Sequence, residues 1–253
     1  MDVSGCAALV TGGGSGMGAE TARLLARAGA KVAVLDVKLD SARAVAEEIG
    51  GIAVACDVAD ATAGEAAVAE ARAAHGPARV LVNCAGIATG GRLVGREGPH
   101  DFGLFARTIG INLIGSFNMM RLAAADMTGL EPLADGERGL IVNTASVAAY
   151  DGQIGQCAYS ASKGGIVAMT LPAARELARF GVRVMTIAPG IMQTPMMACL
   201  PADVQASLAE QIPFPSRLGR ADEYARLVLH IAENVLLNGE TIRLDGAIRM
   251  QPK

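Results

Sequence analysis

The sequence lacks the features that mark membrane, secreted and nucleic-acid-binding proteins. No run approaches the roughly eighteen uncharged apolar residues of a membrane span, and the first residues, MDVSGCAALV, lack the basic start and apolar core of a secretory signal. The net charge is −3, with no dense cluster of Lys or Arg. We therefore expect a soluble cytoplasmic protein with small-molecule partners and no nucleic-acid or membrane partner.

Residues that bind metals or form disulfides are also sparse. The five cysteines are odd in number, scattered and mostly within apolar runs, which predicts buried reduced thiols and no metal site. They are Cys6, Cys56, Cys84, Cys157 and Cys199. None of the three histidines has a triad context, and the segment around Ser146 lacks G-x-S-x-G, which argues against a serine hydrolase.

Seven short apolar runs alternate with longer amphipathic segments along the 253 residues. Each run is nearly continuous, as in strands that helices cover on both faces. The runs are CAALVT, KVAVLD, GIAVACD, RVLVNCAG, GLIVNTAS, VRVMTIAPG and ETIRLDG. Periodicity predicts helices at about 16–29, 40–49, 62–75, 101–128 with a break near Asn112, 158–180, 201–211 and 221–233. We predict one α/β domain over residues 1–253, with a Rossmann-type doubly wound parallel sheet.

Two irregular segments interrupt this alternation. One lies near 86–100 and has five glycines between 86 and 99, and the other lies near 191–220 and has four prolines. Ligands bind beyond the carboxyl ends of strands in such sheets, so we expect both to be substrate-side loops. Methionines in the second segment predict either an apolar lid or a helix packed on the core, through Met192, Met196, Met197 and Leu200.

The first predicted strand ends in TGGGSGMG, residues 11–18, and leads directly into a helix. Glycines let the backbone approach a pyrophosphate, and the helix N-terminus offers unpaired N–H groups to an anion. The pattern T-G-x-x-x-G-x-G fits Thr11, Gly12, Gly16 and Gly18. A purely structural turn is the alternative, but the position after the first strand favours a phosphate site.

Asp36 ends the second predicted strand, where a carboxylate accepts hydrogen bonds from adenosine ribose hydroxyls and repels a 2′-phosphate. With Ser15 in the glycine turn and Val37 after the aspartate, no basic residue is placed for that phosphate, which favours NAD over NADP. A helix cap or turn is the alternative for this carboxylate. Asp57 ends the third strand and is a weaker candidate for an adenine contact.

Tyr159 and Lys163 lie four residues apart in QCAYSASKGG, so a helix places them on one face. Ser146 ends the fifth predicted strand, thirteen residues before Tyr159. A free tyrosine has a pKa near 10 and ionises poorly at neutral pH. A cation about 6 Å away stabilises a phenolate by about 2.8 kcal/mol, or about two pKa units, at an effective dielectric of roughly 20. The three polar groups are therefore expected at one edge of the sheet, where the lysine can lower the pKa of the phenol.

A set of motifs follows in order along nearly the whole chain: TGGGSGMG, Asp36, Asp57, NCAG at 83–86, Asn112, Ser146, YSASK at 159–163, and PG at 189–190 followed by Thr194. This ordered set resembles the short-chain dehydrogenase/reductase family. The resemblance implies that Tyr159 is the general acid/base, that Lys163 lowers its pKa and binds the nicotinamide ribose, that Ser146 orients the substrate, and that Asn112 supports a relay water. The implied cofactor-binding residues are Thr11, Gly12, Ser15, Gly16, Met17, Gly18, Asp36, Asp57, Val58, Asn83, Ala85, Gly86, Tyr159, Lys163, Pro189, Gly190 and Thr194.

Four segments of the second half closely resemble a subgroup of that family, the type 2 3-hydroxyacyl-CoA dehydrogenases. They are SVAAYDGQIGQCAYSASKGGIVAMTLPAARELA, VRVMTIAPG, PFPSRLGRADEYA and NGETIRLDGAIRMQP. This likeness implies NAD-dependent oxidation of (S)-3-hydroxyacyl-CoA to 3-ketoacyl-CoA, with Gln153 as a further substrate contact or a solvent-facing amide. Oxidation of hydroxysteroids or other secondary alcohols is the alternative, and a non-catalytic nucleotide-binding scaffold is a third. The likeness also implies a homotetramer, with helices 101–128 and 158–180 between subunits.

The sequence departs from this subgroup at ATGGRLVGREGPHD, residues 88–101, which is shorter and richer in glycine. This departure leaves the acyl chain preference open. Arg92 and Arg96 in this loop are either contacts for CoA phosphates or solvated surface arginines, of which the second interpretation is favoured.

Overall fold

The computed structural model describes residues 1–96, 98–194, 197 and 201–252. Met196, Cys199 and Leu200, which figured in the expectations above, lie outside the described residues. Seven strands form one parallel sheet in the order β7-β6-β5-β4-β1-β2-β3. They are β1 Ala7–Thr11, β2 Lys31–Asp36, β3 Ile52–Ala55, β4 Val80–Asn83, β5 Gly139–Thr144, β6 Val182–Pro189 and β7 Thr241–Leu244. The predicted Rossmann-type sheet is confirmed.

Helices cover both faces of the sheet. They are α1 Gly16–Arg27, α2 Leu39–Ile49, α3 Ala61–His75, α4 Phe102–Ile109, α5 Gly115–Thr128, α6 Cys157–Leu177, α7 Ala202–Glu210 and α8 Ala221–Glu233. Each lies within two residues of its predicted bounds, except that the 101–128 helix is divided and that α6 ends at Leu177, three residues before the predicted end. None of the helices in the described part of the chain is both long and apolar enough to cross a bilayer.

Neighbouring residues of one strand enter different halves of the core. Val10 packs with α1, α2 and α8 on one face, whereas Leu9 packs with α3 and α5 on the other. Because the inner strands β1, β4, β5 and β6 are buried on both faces, their sequences are almost continuously apolar.

The predicted break near Asn112 is a wide helical turn, Gly110–Ile114, that joins α4 to α5. Such π-type turns add a residue and often occur at functional sites. Here the turn places Asn112 inside the protein, fully buried.

Both predicted irregular segments contain short pairings that are too brief to leave a sequence pattern. Val94–Gly95 pairs antiparallel with Gly98–Pro99, and Met192–Gln193 pairs parallel with Gly219–Arg220. The second pairing closes the base of the 191–220 segment.

Four cysteines are free thiols, but their burial differs from the expectation. Cys56 is buried, while Cys6 and Cys84 are partly buried. Cys157 is exposed because it is the first residue of α6, so the prediction of burial is wrong for this residue.

Candidate active site

The predicted cofactor and catalytic residues meet at the carboxyl edge of the sheet. Parallel strands all end at one edge, and the neighbouring strands β1, β4, β5 and β6 bring four loop beginnings together there. The glycine turn follows β1, Ala85 follows β4, Ser146 follows β5, and Gly190 follows β6. The topology therefore assembles in one place residues as far apart in the chain as Thr11 and Gly190.

The glycine turn packs too closely for side chains. Gly12 and Gly16 have φ values of +62° and +53°, which L-residues rarely adopt. A Cβ on Gly12 would lie 2.8 Å from the backbone of Ala85 in the loop after β4. Ser15 precedes α1 and its side chain makes no capping hydrogen bond. The N-terminus of α1 thus faces a backbone-lined cradle that suits a pyrophosphate.

Asp36 lies beside this cradle and contributes to its shape. Its Oδ2 accepts a hydrogen bond from the Gly14 amide at 3.0 Å, and its Oδ1 accepts one from the Lys38 amide at 2.9 Å. A carboxylate has about four acceptor positions, so two of them are left for a ribose. Both the predicted role and the structural alternative of a turn aspartate are therefore compatible with these contacts.

The two residues predicted after β3 differ in exposure. Asp57 is exposed and accepts a hydrogen bond from the Ala59 amide at 3.0 Å, which makes it a turn residue. Val58 is buried, and its carbonyl accepts from Asn118 Nδ2 at 3.0 Å. Contact of either residue with adenine stays a prediction.

A buried amide network fixes the end of β4. Asn83 Nδ2 donates to Asn143 Oδ1 at 2.9 Å and to the Ser116 carbonyl at 3.2 Å. Thr11 Oγ1 donates to Asn83 Oδ1 at 3.4 Å and accepts from the Ala85 amide at 3.2 Å. Thr11 and Asn83 therefore hold the cradle together by hydrogen bonds between their own side chains and neighbouring strands.

Tyr159 and Lys163 lie on α6 as their spacing predicts. Lys163 Nζ is 5.8 Å from the centre of the Tyr159 ring. Burial raises the pKa of Tyr159, and a hydrogen bond with Ser146 opposes that rise. Because Ser146 Oγ accepts from the Ala148 amide at 3.1 Å, its own proton is left to donate to the tyrosine oxygen.

The protein's own groups thus shift the pKa of Tyr159 upward, opposite to the lowering expected from the sequence. Burial was the effect that the sequence did not reveal. Lys163 is itself affected, because burial lowers its pKa to about 8. The side chain is only 5% exposed. Near neutral pH Lys163 therefore keeps its charge in a buried position, where loss of hydration disfavours the charged form.

Lys163 is held by Thr144, which in turn contacts Tyr224. Neither Thr144 nor Tyr224 was singled out from the sequence. Lys163 Nζ donates to the Thr144 carbonyl at 2.7 Å. Thr144 Oγ1 donates to the Asn83 carbonyl at 2.6 Å and is 2.7 Å from Tyr224 Oη. Since the Thr144 proton goes to a carbonyl, Tyr224 supplies the proton of the second bond. Thr144 lies only two residues before Ser146, but nothing in the sequence pairs it with Tyr224.

Asn112 binds the loop after β4 through both the oxygen and the nitrogen of its side-chain amide. Its Oδ1 accepts from the Ile87 amide at 2.8 Å, and its Nδ2 donates to the Ile87 carbonyl at 2.9 Å and to Ser162 Oγ at 3.0 Å. Ser162 Oγ donates in turn to the Tyr159 carbonyl at 2.7 Å. Asn112 therefore connects α6 to this loop, and its expected support of a relay water stays a prediction.

The remaining predicted residues surround this centre. Gly86 lies close to Asn112 and Lys163, because a Cβ on it would be 3.1 Å from Asn112 Oδ1 and 3.6 Å from Lys163 Nζ. Gly190 follows Pro189 at the end of β6, and its amide donates to the Leu244 carbonyl at 2.9 Å. Thr194 Oγ1 accepts from the Met197 amide at 3.4 Å.

Three substrate-side expectations have mixed outcomes. Gln153 is partly exposed and donates from Nε2 to the Gln251 carbonyl at 2.9 Å, so its amide already has a protein partner. Arg92 and Arg96 are exposed, as either interpretation requires. Met192 is 6% exposed and packs with the core cluster, which favours the core alternative for this methionine.

Together these groups can take a proton from an alcohol oxygen. Tyr159 offers the oxygen that receives the proton, Ser146 offers a hydrogen bond to hold the reacting group, and Lys163 offers positive charge that favours the phenolate. The glycine cradle lies at the same sheet edge and suits a dinucleotide. Proton transfer beside a dinucleotide is the chemistry of a dehydrogenase.

Comparison with known proteins gives consistent matches over the chain. The profile of the short chain dehydrogenase family matches residues 6–205. A 3-hydroxyacyl-CoA dehydrogenase type-2 from Bos taurus is 52% identical over 99% of this chain and 97% of its own length. A protein of the same name from Drosophila melanogaster is 50% identical, with 99% and 100% covered. The solved structure of 3-hydroxyacyl-CoA dehydrogenase type-2 from Mycobacterium avium is 42% identical, with 98% of each chain covered and a TM-score of 0.94.

Proposed function

Since the chain belongs to the short chain dehydrogenase family, we propose that this oxidoreductase converts (S)-3-hydroxyacyl-CoA to 3-ketoacyl-CoA with NAD. The observation that carries the chemistry is Tyr159 hydrogen-bonded to Ser146 with Lys163 Nζ 5.8 Å from its ring. Relatives named 3-hydroxyacyl-CoA dehydrogenase type-2, about half identical over the full chain, support the substrate class. We assign the activity to one catalytic domain over residues 1–253.

The residues present fit a nicotinamide dinucleotide. The cradle at Gly12 has no room for a Cβ, and the α1 N-terminus behind it suits a diphosphate. Asp36 retains acceptor positions for ribose hydroxyls and its charge disfavours a 2′-phosphate, which supports NAD as the preferred form. When bound, the nicotinamide supplies the acceptor for the hydride that leaves the substrate carbon.

Tyr159 manages the proton of this reaction. The substrate hydroxyl gives its proton to the Tyr159 phenolate as the C–H hydride departs, which leaves a ketone and a neutral phenol. Ser146 holds the reacting oxygen near Tyr159 through its hydroxyl, which can donate to the product carbonyl. Lys163 Nζ, 5.8 Å from the centre of the Tyr159 ring, carries a positive charge that favours the phenolate.

The roles of the surrounding residues follow from their positions at the same edge. Asn112 fixes Ile87 and Ser162, and so sets the distance between the β4 loop and α6. The 86–100 and 191–220 segments are the proposed substrate-side loops, and Gln153 lies in the loop between Ser146 and Tyr159. Oxidation of a hydroxysteroid or another secondary alcohol uses the same three groups, so it is the alternative that a test must separate.

A homotetramer is part of this proposal. Large apolar side chains are exposed on the α4–α5 helix pair and on α6: Phe102 is 80% exposed, Ile114 and Phe117 are each 53%, and Leu171 is 43%. These are the helices expected between subunits, and burial of such side chains against a second copy removes apolar area from water. Sedimentation equilibrium of the full chain measures the assembly directly.

Two measurements test the function. Comparison of kcat/KM for short, long and branched 3-hydroxyacyl-CoAs with that for a hydroxysteroid should favour the acyl-CoAs, and preference for the steroid would refute the substrate assignment. Tyr159→Phe removes one oxygen, so kcat should fall by about 10²- to 10⁴-fold while NADH binding persists, because the phenol acts on the proton and not on affinity. Undiminished oxidation by this variant would remove Tyr159 from the mechanism.

A further inference from the structure

The loop over residues 150–156, which joins the Ser146 turn to α6, is bound on two sides. On one side, the Gly155 carbonyl accepts from the Gly91 amide at 2.8 Å, which connects it to the 86–100 segment. On the other, the Ile154 amide donates to the Pro252 carbonyl at 3.0 Å, and Gln153 Nε2 donates to the Gln251 carbonyl at 2.9 Å. Adjacent residues of this loop therefore connect two distant parts of the chain.

A half-buried ion cluster anchors residues 245–252, which we name the C-terminal segment. Arg243 on β7 binds Asp151 of the 150–156 loop at 2.6 Å and Asp245 of the C-terminal segment at 2.7 Å. Its guanidinium also donates to the Ile248 carbonyl at 3.0 Å and lies 5.3 Å from the centre of the Tyr150 ring. The two carboxylates are 19% and 7% exposed, so solvent screens these bonds less than at a fully exposed surface.

The C-terminal segment also touches the second substrate-side loop. The Phe214 amide donates to the Gly246 carbonyl at 3.3 Å, and a Cβ on Gly246 would collide with Ile212. Two segments thus contact residues 150–156 directly, the one that carries Gly91 and the C-terminal segment. The segment that carries Phe214 is connected to them through the C-terminal segment. The segments that carry Gly91 and Phe214 are the two predicted substrate-side loops, whereas the glycine cradle and Asp36 belong to the predicted cofactor site.

We propose that the C-terminal segment is a positioning element for substrate, which holds the 150–156 loop at the distance from Tyr159 that the acyl group requires. The inference rests on the proposed function, since it concerns the same substrate site. Gln153 then acts through Gln251 and not as an independent contact. Loss of the C-terminal segment should weaken substrate binding. The substrate must then order the 150–156 loop itself, and the free energy of that ordering is subtracted from the affinity. Cofactor affinity stays unchanged.

The acceptors that the C-terminal segment offers are main-chain carbonyls, which allows a matched control. Ending the chain at Met250 removes both the Gln251 and Pro252 carbonyls, whereas Gln251→Ala retains them. Gln251 and Pro252 are exposed, so neither change opens the core. We expect the shortened chain to melt at the temperature of the full chain, within the error of the measurement.

Steady-state kinetics separate the positioning role from a general structural one. The shortened chain should show a KM for acetoacetyl-CoA raised about fivefold, as expected for the loss of two neutral hydrogen bonds that are partly replaced by water, with the KM for NADH unchanged. Gln251→Ala should match the parent. Gln153→Ala should raise the same KM, and adding it to the shortened chain should change nothing further. Equal rises in both KM values, no rise, or additive effects would overturn the proposal.

Hydrogen exchange tests the inference without any substrate, so its failure is distinguishable from failure of the proposed function. In the shortened chain the Ile154 amide loses its acceptor, and a peptide covering 150–156 should exchange faster than in the parent or in Gln251→Ala. If acetoacetyl-CoA is not reduced by the parent but exchange behaves in this way, the proposed substrate fails and the positioning role stands. Unchanged exchange refutes the positioning role, whatever the substrate.

Discussion

Replacement of Lys163 by methionine should make the protein more stable and far less active at pH 7. Methionine has nearly the length of lysine without the charge, so it removes the ammonium from a site where the side chain is 5% exposed. Burial lowers the pKa of Lys163 from its ordinary value of 10.5 to about 8, which means that the folded protein binds this proton less well than the unfolded chain does. The charge therefore opposes folding below pH 8.

The magnitude follows from the pKa difference and the lost hydrogen bond. A difference of 2.5 units costs about 3 kcal/mol of folding free energy at pH 7, and the variant recovers it. The Thr144 carbonyl then loses its donor, which costs about 1–3 kcal/mol. The net gain is about 1 kcal/mol, or a rise of about 2–4 °C in Tm for a chain of this size.

The sign of this difference should change with pH. As pH rises from 7 to 9.5 the folded protein releases the Lys163 proton while the unfolded chain keeps it, so the penalty falls by about 2 kcal/mol. The hydrogen-bond loss remains, and the variant becomes the less stable protein. Urea unfolding of both proteins at the two pH values measures this, with Lys31→Met on the exposed end of β2 as the control. The reasoning would be refuted if the variant were less stable than the parent at pH 7, or if their difference in unfolding free energy were the same at both pH values.

Activity should fall in the same variant for a separate electrostatic reason. With Nζ 5.8 Å from the Tyr159 ring, the attraction to a phenolate is about 3 kcal/mol at an effective dielectric of about 20. Its loss raises the pKa of Tyr159 further, by about two units, and lowers kcat/KM for oxidation at pH 7 about 100-fold. The acidic limb of the pH–rate profile for oxidation, along which the rate rises as Tyr159 loses its proton, should therefore move to higher pH, and a limb that stays in place would contradict this.

Two further predictions concern the cofactor. Asp36→Ala should raise NADP use relative to NAD, measured as the ratio of their kcat/KM values, because the charge that repels a 2′-phosphate is removed; an unchanged ratio would exclude Asp36 from discrimination. Gly12→Ala should abolish NADH binding by fluorescence titration, since its Cβ would lie 2.8 Å from Ala85 and φ is +62°, whereas Gly50→Ala, at φ +66° in open space, should bind normally.

The inner strands were predictable because they are buried on both faces. Val10 and Leu9 enter different core clusters, and that arrangement makes their run continuously apolar. The wide turn at Asn112 was predictable only as a break, because a π-type turn has the composition of the helix around it. The pairing of 192–193 with 219–220 has two residues on each side and leaves no pattern.

The sequence predicted those features of the site that depend on residues close together in the chain. Tyr159 and Lys163 share a helix face by their spacing, and the end of β5 predicted Ser146. The contact of Gln153 with Gln251 joins residues 98 positions apart, and Tyr224 meets Thr144 across 80 positions, so neither has a signal in one sequence. The expected lowering of the Tyr159 pKa was wrong for a related reason. Burial raises this pKa, and burial depends on the whole fold.

Thr144 shows why a costly lysine can be retained at this position. Its carbonyl takes the Lys163 ammonium, while its hydroxyl donates to the Asn83 carbonyl at 2.6 Å and accepts from Tyr224 of α8. One residue at the end of β5 therefore binds three elements, and every one of these bonds lies inside the protein, where an unmade bond would cost more than at the surface. Burial lowers the pKa of Lys163 to about 8. The same low dielectric strengthens the attraction between the ammonium and a Tyr159 phenolate. The environment that opposes folding is thus the one that makes the lysine effective.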